Sequence, residues 1–259
     1  MLWTFCYHDV DDYSFDNYKT SHTISMDQIW NDIRIAESAG LKIIERRTDY
    51  LRLFSRNISQ NAVLLTFDDG YLSQVHALSE LSSSGKTGGI LFVVVGQVGR
   101  AGFADWSALR DLSKEGYSIQ SHGYSHRVLT LLDDRSLMEE LVRSREEIEQ
   151  QIGQPVWGLS LPQGFYNVRV LRAAKCAGYR VVFTSRYGTG FGFHRKSAIT
   201  FVNRIVARGS RIPVAISSLR EDTLKARLLQ CSGAWQDAAK NLIGYRLMHL
   251  LWMFVHSRG

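Results

Sequence analysis

Two carboxylates, Asp68 and Asp69, stand side by side after the apolar run Val63–Phe67 in "VLLTFDDGY". Adjacent acids at the lip of a buried strand have two readings. One is a turn, since Asp-Gly is common turn chemistry. The other is a held charge. Neighbouring side chains at a strand end point different ways, so one acid can bind a cation while the other takes a proton. Two ionised carboxylates this close repel, and a cation beside them relieves the repulsion. Farther along, "HGYSH" places His122 and His126 four residues apart. On a helical turn that spacing puts both imidazoles on one face, able to grip one ion. Two histidines and an aspartate make a three-ligand site for a borderline divalent ion, leaving positions open for water and substrate.

Such residues need a scaffold that brings distant segments together. Candidate strands are Leu2–Tyr7, Leu41–Ile44, Val63–Phe67, Ile90–Val95, Tyr117–Ser121, Val156–Leu161, Arg180–Thr184 and Ile199–Val206. Candidate helices lie between them at Met26–Ala39, Tyr71–Ser84, Trp106–Glu115, Arg135–Gln151 and Val168–Ala177. In the first helix Ser25 can cap, Ile29, Ile33 and Ala36 share a face, and Gly40 stops the run. This alternation predicts parallel strands with helical crossovers, as a barrel or a doubly wound sheet. In either, function gathers at the C-terminal strand ends. His8, the Asp68–Asp69 pair, His122 and the Pro162–Gln163–Gly164 turn each follow a different strand, which puts them on one rim.

At these residues a resemblance appears. "LLTFDDGY" resembles the first motif of the polysaccharide deacetylases (NodB-homology, carbohydrate esterase family 4), Thr-Phe-Asp-Asp-Gly. "HGYSH" is similar to their second motif, His-(Ser/Thr)-x-x-His, and "LSLPQGFYN" resembles a divergent third, usually Arg-x-Pro-x-Gly. The likeness covers roughly residues 1–206. It implies an α/β fold, a distorted (β/α) barrel of about seven parallel strands, and residues 207–259 read separately as a basic, apolar helical C-terminal extension.

The resemblance also implies metal-dependent hydrolysis of an N-acetyl group on an amino sugar. By position, Asp69, His122 and His126 would hold one divalent ion, zinc first, with cobalt, nickel or iron also compatible. Asp68 would be the base, and the main-chain N–H of Gln163 would face the oxyanion. That chemistry suits an amide. A metal polarises the carbonyl and lowers the pKa of water from about 16 towards about 7. A positioned base typically contributes about 10²–10⁴-fold, and one oxyanion donor is worth roughly 3 kcal/mol. The chain departs from the family in two places. Ser160 stands where the third motif often has Arg, and Arg204 in "FVNRIVARG" is a candidate substitute. No Leu-x-His near residues 200–210 supplies the usual late acid, which leaves His8 as the better candidate and His194 as the weaker one. Tyr71 and Tyr166, beside Pro162 and Gly164, either stack on a sugar ring or join the core.

Bulk properties narrow the function classes. The 259 residues are 45% hydrophobic and 22% charged, ample for a sizeable core. Three widely spaced cysteines with no Cys-x-x-Cys read as buried reduced thiols. The start, "MLWTFCYHDVDD", does not read as a signal peptide, so a cytoplasmic location is expected. Residues 207–259 hold eight Lys/Arg against three acids, five of the chain's six net positive charges. This basic tail, with the apolar stretch 241–256, either contacts a membrane face peripherally or packs on the barrel. No nucleic-acid module is recognisable. The leading function is N-deacetylation of an N-acetylhexosamine in a polysaccharide or lipid-linked glycan. The alternatives are an amidase or cyclic-amide hydrolase on a small substrate, and a non-catalytic glycan- or membrane-binding protein.

Overall fold

A computed structural model describes residues 1–13, 22–45, 50, 61–86, 88–194, 198–208 and 211–220. The strands are β1 (Leu2–Tyr7), β2 (Lys42–Ile43), β3 (Ala62–Asp69), β4 (Ile90–Val93), β5 (Ser118–Ser121), β6 (Gly158–Ser160), β7 (Val181–Phe183), β8 (Phe191–His194), β9 (Ile199–Val202) and β10 (Ile205–Val206). The helices are α1 (Met26–Ser38), α2 (Leu72–Ser83), α3 (Trp106–Glu115), α4 (Asp134–Ile152), α5 (Val168–Cys176) and α6 (Arg211–Arg220). One sheet runs β10-β1-β3-β4-β5-β6-β7-β9-β8, with β2 beside β3. Every pairing is parallel except β8 on β9.

The strand count exceeds the seven or so expected, for two reasons. The antiparallel edge strand β8 gave no clear signal. The run read as one strand, Ile199–Val206, is two. Its first half pairs with β7 and its second half with β1. The break falls at Asn203 and Arg204, whose amides turn to the carbonyls of Gly190 and Arg186. One short segment thus touches strands near opposite ends of the sheet, so the sheet curls into a distorted barrel with Arg204 at the seam.

Alternation along the strands sorts two cores. Trp3, Phe5, Tyr7, Val63, Leu65, Phe67, Leu91 and Val93 face the helices in the larger cluster. Leu2, Leu64, Ile90, Phe92, Trp157, Val181, Phe183 and Val202 form a second cluster that contains no residue of these helices, inside the curl. Climbing the inner face of β3 one meets Leu64, Thr66 and Asp68; on β1, Leu2, Thr4 and Cys6. The interior is therefore apolar at the strands' N-terminal ends and polar at their C-terminal ends.

Helix caps follow local sequence. The Ser25 side chain accepts the Gln28 N–H, and Gly40 leaves α1 at φ +77°. In α6, Ile212, Ala215 and Ile216 are buried in the larger core, so the chain beyond residue 206 begins as part of the barrel. Residues 221–259, with the 241–256 stretch and most of the basic tail, lie outside the described residues. Among the described residues, no helix is long and apolar enough to cross a membrane. Cys6 is buried, but Cys176, expected inside, is exposed.

Candidate active site

β3 runs two residues beyond the apolar stretch, so Asp68 and Asp69 are strand residues opposite Phe92 and Val93 of β4. Asp68 keeps the inward alternation. At Asp69 the backbone turns left-handed, with φ 88° there and 86° at Gly70. A Cβ on Gly70 would lie 3.1 Å from the Val93 side chain, and its φ disfavours one as well. For Asp69 the conformation costs on the order of 1–3 kcal/mol. It swings the second carboxylate to the rim while the first stays inside.

Asp68 is almost fully buried. Arg204 meets it with two parallel bonds, Nη1 to Oδ1 at 2.7 Å and Nη2 to Oδ2 at 2.8 Å. The Ser160 hydroxyl donates to Oδ2 at 2.9 Å and accepts from Arg204 Nη2 at 2.9 Å. Arg204 Nε donates to the Thr184 carbonyl at 2.9 Å. Burial alone would push the Asp68 carboxyl up. The Arg204 guanidinium, helped by His122, more than reverses this and holds it well below the ordinary carboxylate range. Ser160 from β6 and Arg204 from the barrel seam thus hold the Asp68 carboxylate together.

Asp69, His122 and His126 converge across the rim. Asp69 Oδ1 is 3.5 Å from His122 Nε2 and 3.5 Å from His126 Nε2, and the two rings are 4.8 Å apart. "HGYSH" is not the helical turn anticipated. It is an open loop, left-handed at Gly123 (φ 80°) and at His126 (φ 59°), and this loop folds the two imidazoles together. His122 Nδ1 lies 2.9 Å from the Ser160 carbonyl. A carbonyl only accepts, so Nδ1 carries a proton there, and Nε2, on the Asp69 side, is the nitrogen available to an ion.

This donor set fits a divalent ion. Metal–ligand bonds of roughly 2.0–2.2 Å in a tetrahedron separate ligand atoms by roughly 3.3–3.6 Å, as seen for Asp69 against each histidine. Burial, with His122 next, lowers His126 to about 3, so its imidazole is neutral at pH 7. Burial raises Asp69 to about 6, with the Asp68 charge adding, which still leaves a carboxylate at pH 7. A second group, Cys6, His8 and Asp68, also brings its ligand atoms within 4.8 Å of one another. It suits a cation poorly. Arg204 already neutralises Asp68, and burial pushes the Cys6 thiol up and keeps it protonated.

The other predicted residues lie around these two centres. His8 is half-buried at the end of β1, its ring 4.8 Å from that of His22, with Nδ1 buried and unpaired. Burial lowers it to about 3. Pro162–Gly164 form a tight turn after β6 in which Gln163 is left-handed (φ 57°). A Cβ on Gly164 would come within 2.7 Å of Ser185, so the motif glycine is sterically required. The Gln163 Oε1 is buried without a partner. Tyr71 stacks on Phe103 at 4.9 Å, and burial, with the Asp69 charge, pushes its phenol up. Tyr166 packs half-buried against the larger core. His194 sits in the antiparallel strand β8.

The sequence profile of the family described as polysaccharide deacetylase matches residues 55–182, the stretch that carries all three motifs. Residues 55–182 belong to the polysaccharide deacetylase family. YxkH of Bacillus subtilis is 26% identical over 130 residues, 50% of this chain and 47% of that protein. The peptidoglycan-N-acetylmuramic acid deacetylase PdaA of the same organism is 28% identical over 150 residues, 57% of this chain and 55% of its own length. The chain thus spans about half the length of these curated relatives. Among solved structures, IcaB from Ammonifex degensii superposes with a TM-score of 0.69 at 23% identity, covering 83% of this chain and 95% of that one. That likeness establishes the distorted (β/α) barrel.

Two polar residues hold the deacetylase motifs in place, and the sequence reading missed both. Gln74, in the first turn of α2, is fully buried and bonds to the backbone of Asp68, Gly70, Tyr71 and His8. Its place three residues after Tyr71, where a capping Gln commonly sits, was a legible signal. Glu140, in α4, accepts the amides of Tyr124 (2.8 Å) and Ser125 (2.6 Å) and the Ser125 hydroxyl (2.8 Å). It lies fourteen residues or more from the loop it supports, and no local pattern announces it.

Proposed function

We propose that this chain is a metal-dependent N-deacetylase that hydrolyses the acetamido group of an N-acetylhexosamine in a polysaccharide or lipid-linked glycan. The single observation that carries the reading is the convergence of Asp69, His122 and His126 beside a separately neutralised, buried Asp68. A divalent ion held by those three residues would polarise the amide carbonyl and acidify a water. His122, fixed by the Ser160 carbonyl, and His126 would offer it their Nε2 atoms, and Asp69 would balance charge.

Asp68 is the proton acceptor. Arg204 and Ser160 hold it by bonds to both oxygens, and Oδ2 lies 3.9 Å from His122 Nε2. A carboxylate held so low binds a proton weakly, so the proton it takes has to move on within the turnover. The ring of His8, within 4.8 Å of Asp68 and with an unpaired nitrogen, is suited to pass it to the leaving amine. The main-chain N–H of Gln163, in its left-handed turn after β6, would face the oxyanion. Tyr71, Pro162, Gly164 and Tyr166 would border the sugar. Relatives named as peptidoglycan deacetylases favour peptidoglycan among the substrate classes.

The test is acetate release from N-acetylglucosamine oligomers, peptidoglycan fragments and lipid-linked N-acetyl sugars, with and without chelator. Chelator-sensitive release from one of these classes is expected. A metal-replete protein inactive on all of them would favour a binding function.

A further inference from the structure

We infer that Gln74 is a positioning residue, whose carboxamide sets the Asp68–Asp69 turn so that Asp69 meets His122 and His126. Its Oε1 accepts the N–H groups of Gly70 and Tyr71, each at 3.0 Å. Its Nε2 donates to the carbonyls of His8 at 2.8 Å and Asp68 at 2.5 Å. A carboxamide has two N–H donors and one oxygen with two lone pairs, and all are used on backbone. The four contacts bracket the left-handed Asp69–Gly70 pair on both sides. They also tie the end of β3 to the end of β1, which carries His8. All four contacts end on backbone atoms, so the effect of Gln74 on ligand and base is through the backbone.

The carboxamide is matched to its task. A carboxylate of the same size would accept from Gly70 and Tyr71 equally well, but its second oxygen would face the His8 and Asp68 carbonyls. An apolar residue would leave two amides and two carbonyls unpaired in a buried place.

The inference rests on reading Asp69, His122 and His126 as the ion's ligands. It is tested by Zn²⁺ affinity, through chelator competition, on the wild type, Gln74→Glu and Gln74→Leu. Thermal unfolding of the metal-free proteins and the separate kcat and KM values are measured alongside. Both variants should fold when metal-free yet bind Zn²⁺ about 10–100-fold more weakly, with kcat reduced and KM near the wild-type value. Zn²⁺ affinity equal to the wild type would overturn the inference. So would failure of both variants to fold without metal, which would assign Gln74 to the barrel. A wild type that binds no Zn²⁺ would instead defeat the ligand reading on which it rests.

Discussion

Asp68 and Arg204 stand 136 residues apart in the chain and 2.7 Å apart in the fold. Their two-pronged pairing uses the planar guanidinium, which a lysine cannot reproduce. Arg204→Ala leaves a buried charge uncompensated, at a cost of about 3–5 kcal/mol in stability. It also releases the Asp68 carboxyl upwards, since burial then loses its main opponent. Acetate release should fall at least about 100-fold in Arg204→Ala, and Arg204→Lys should recover only part of it. Zn²⁺ affinity should change little in either, because Arg204 does not touch the ligand trio. Unchanged turnover in Arg204→Ala would remove Arg204 from the mechanism. Asp69 gives a pH prediction. Its carboxyl is raised to about 6 in the metal-free protein, so ion binding displaces a proton from Asp69 below that pH and none from this carboxyl above it. An NMR titration of the Asp69 carboxyl in the metal-free protein should find it mostly protonated at pH 5 and ionised at pH 7.5.

At the scale of elements, the rim depends on how each strand ends. β3 ends in a left-handed pair, β5 runs into the "HGYSH" loop, and β6 runs into a left-handed Gln163 turn. Three of the four positive-φ non-glycine residues among those described are Asp69, His126 and Gln163, so local strain gathers at the candidate site. The loop's geometry rests on Glu140. Glu140→Ala strips the acceptor from two backbone amides and should lower Zn²⁺ affinity about tenfold or more, measured by chelator competition. Hydrogen exchange should rise at Tyr124 and Ser125. The motif residues were legible because their chemistry depends on type and spacing within short segments. The loop conformation was not, because the His-x-x-x-His spacing equally suits a helix; Gly123 and a distant carboxylate decided against one. The split of Ile199–Val206 was also hidden, because both halves have strand character and only the curl of the sheet gives them different neighbours.

Across the whole molecule, the barrel interior grades from apolar to polar, and its stability is sensitive to buried charge elsewhere too. Asp32 of α1 is fully buried, with one oxygen unpaired and the other 3.3 Å from the Tyr7 hydroxyl. Burial raises its carboxyl to about 7, against 3.8 unfolded. Below about pH 4 both states hold the proton. Between about 4 and 7 only the folded state does, so stability falls as pH rises through that window and stays lower above it. Asp32→Asn should therefore raise the Tm at pH 8, by on the order of 2–4 kcal/mol in stability, and flatten this part of the profile. Equal melting of the two proteins at pH 8 would contradict it. The central claim is that Asp69, His122 and His126 hold one ion required for amide hydrolysis. The most direct test is acetate release by chelator-stripped protein titrated with Zn²⁺, using the most responsive N-acetylated glycan. The account predicts no release without metal, a plateau at one equivalent, and no recovery in Asp69→Ala. Full release by the stripped protein, or full recovery in Asp69→Ala, would contradict it.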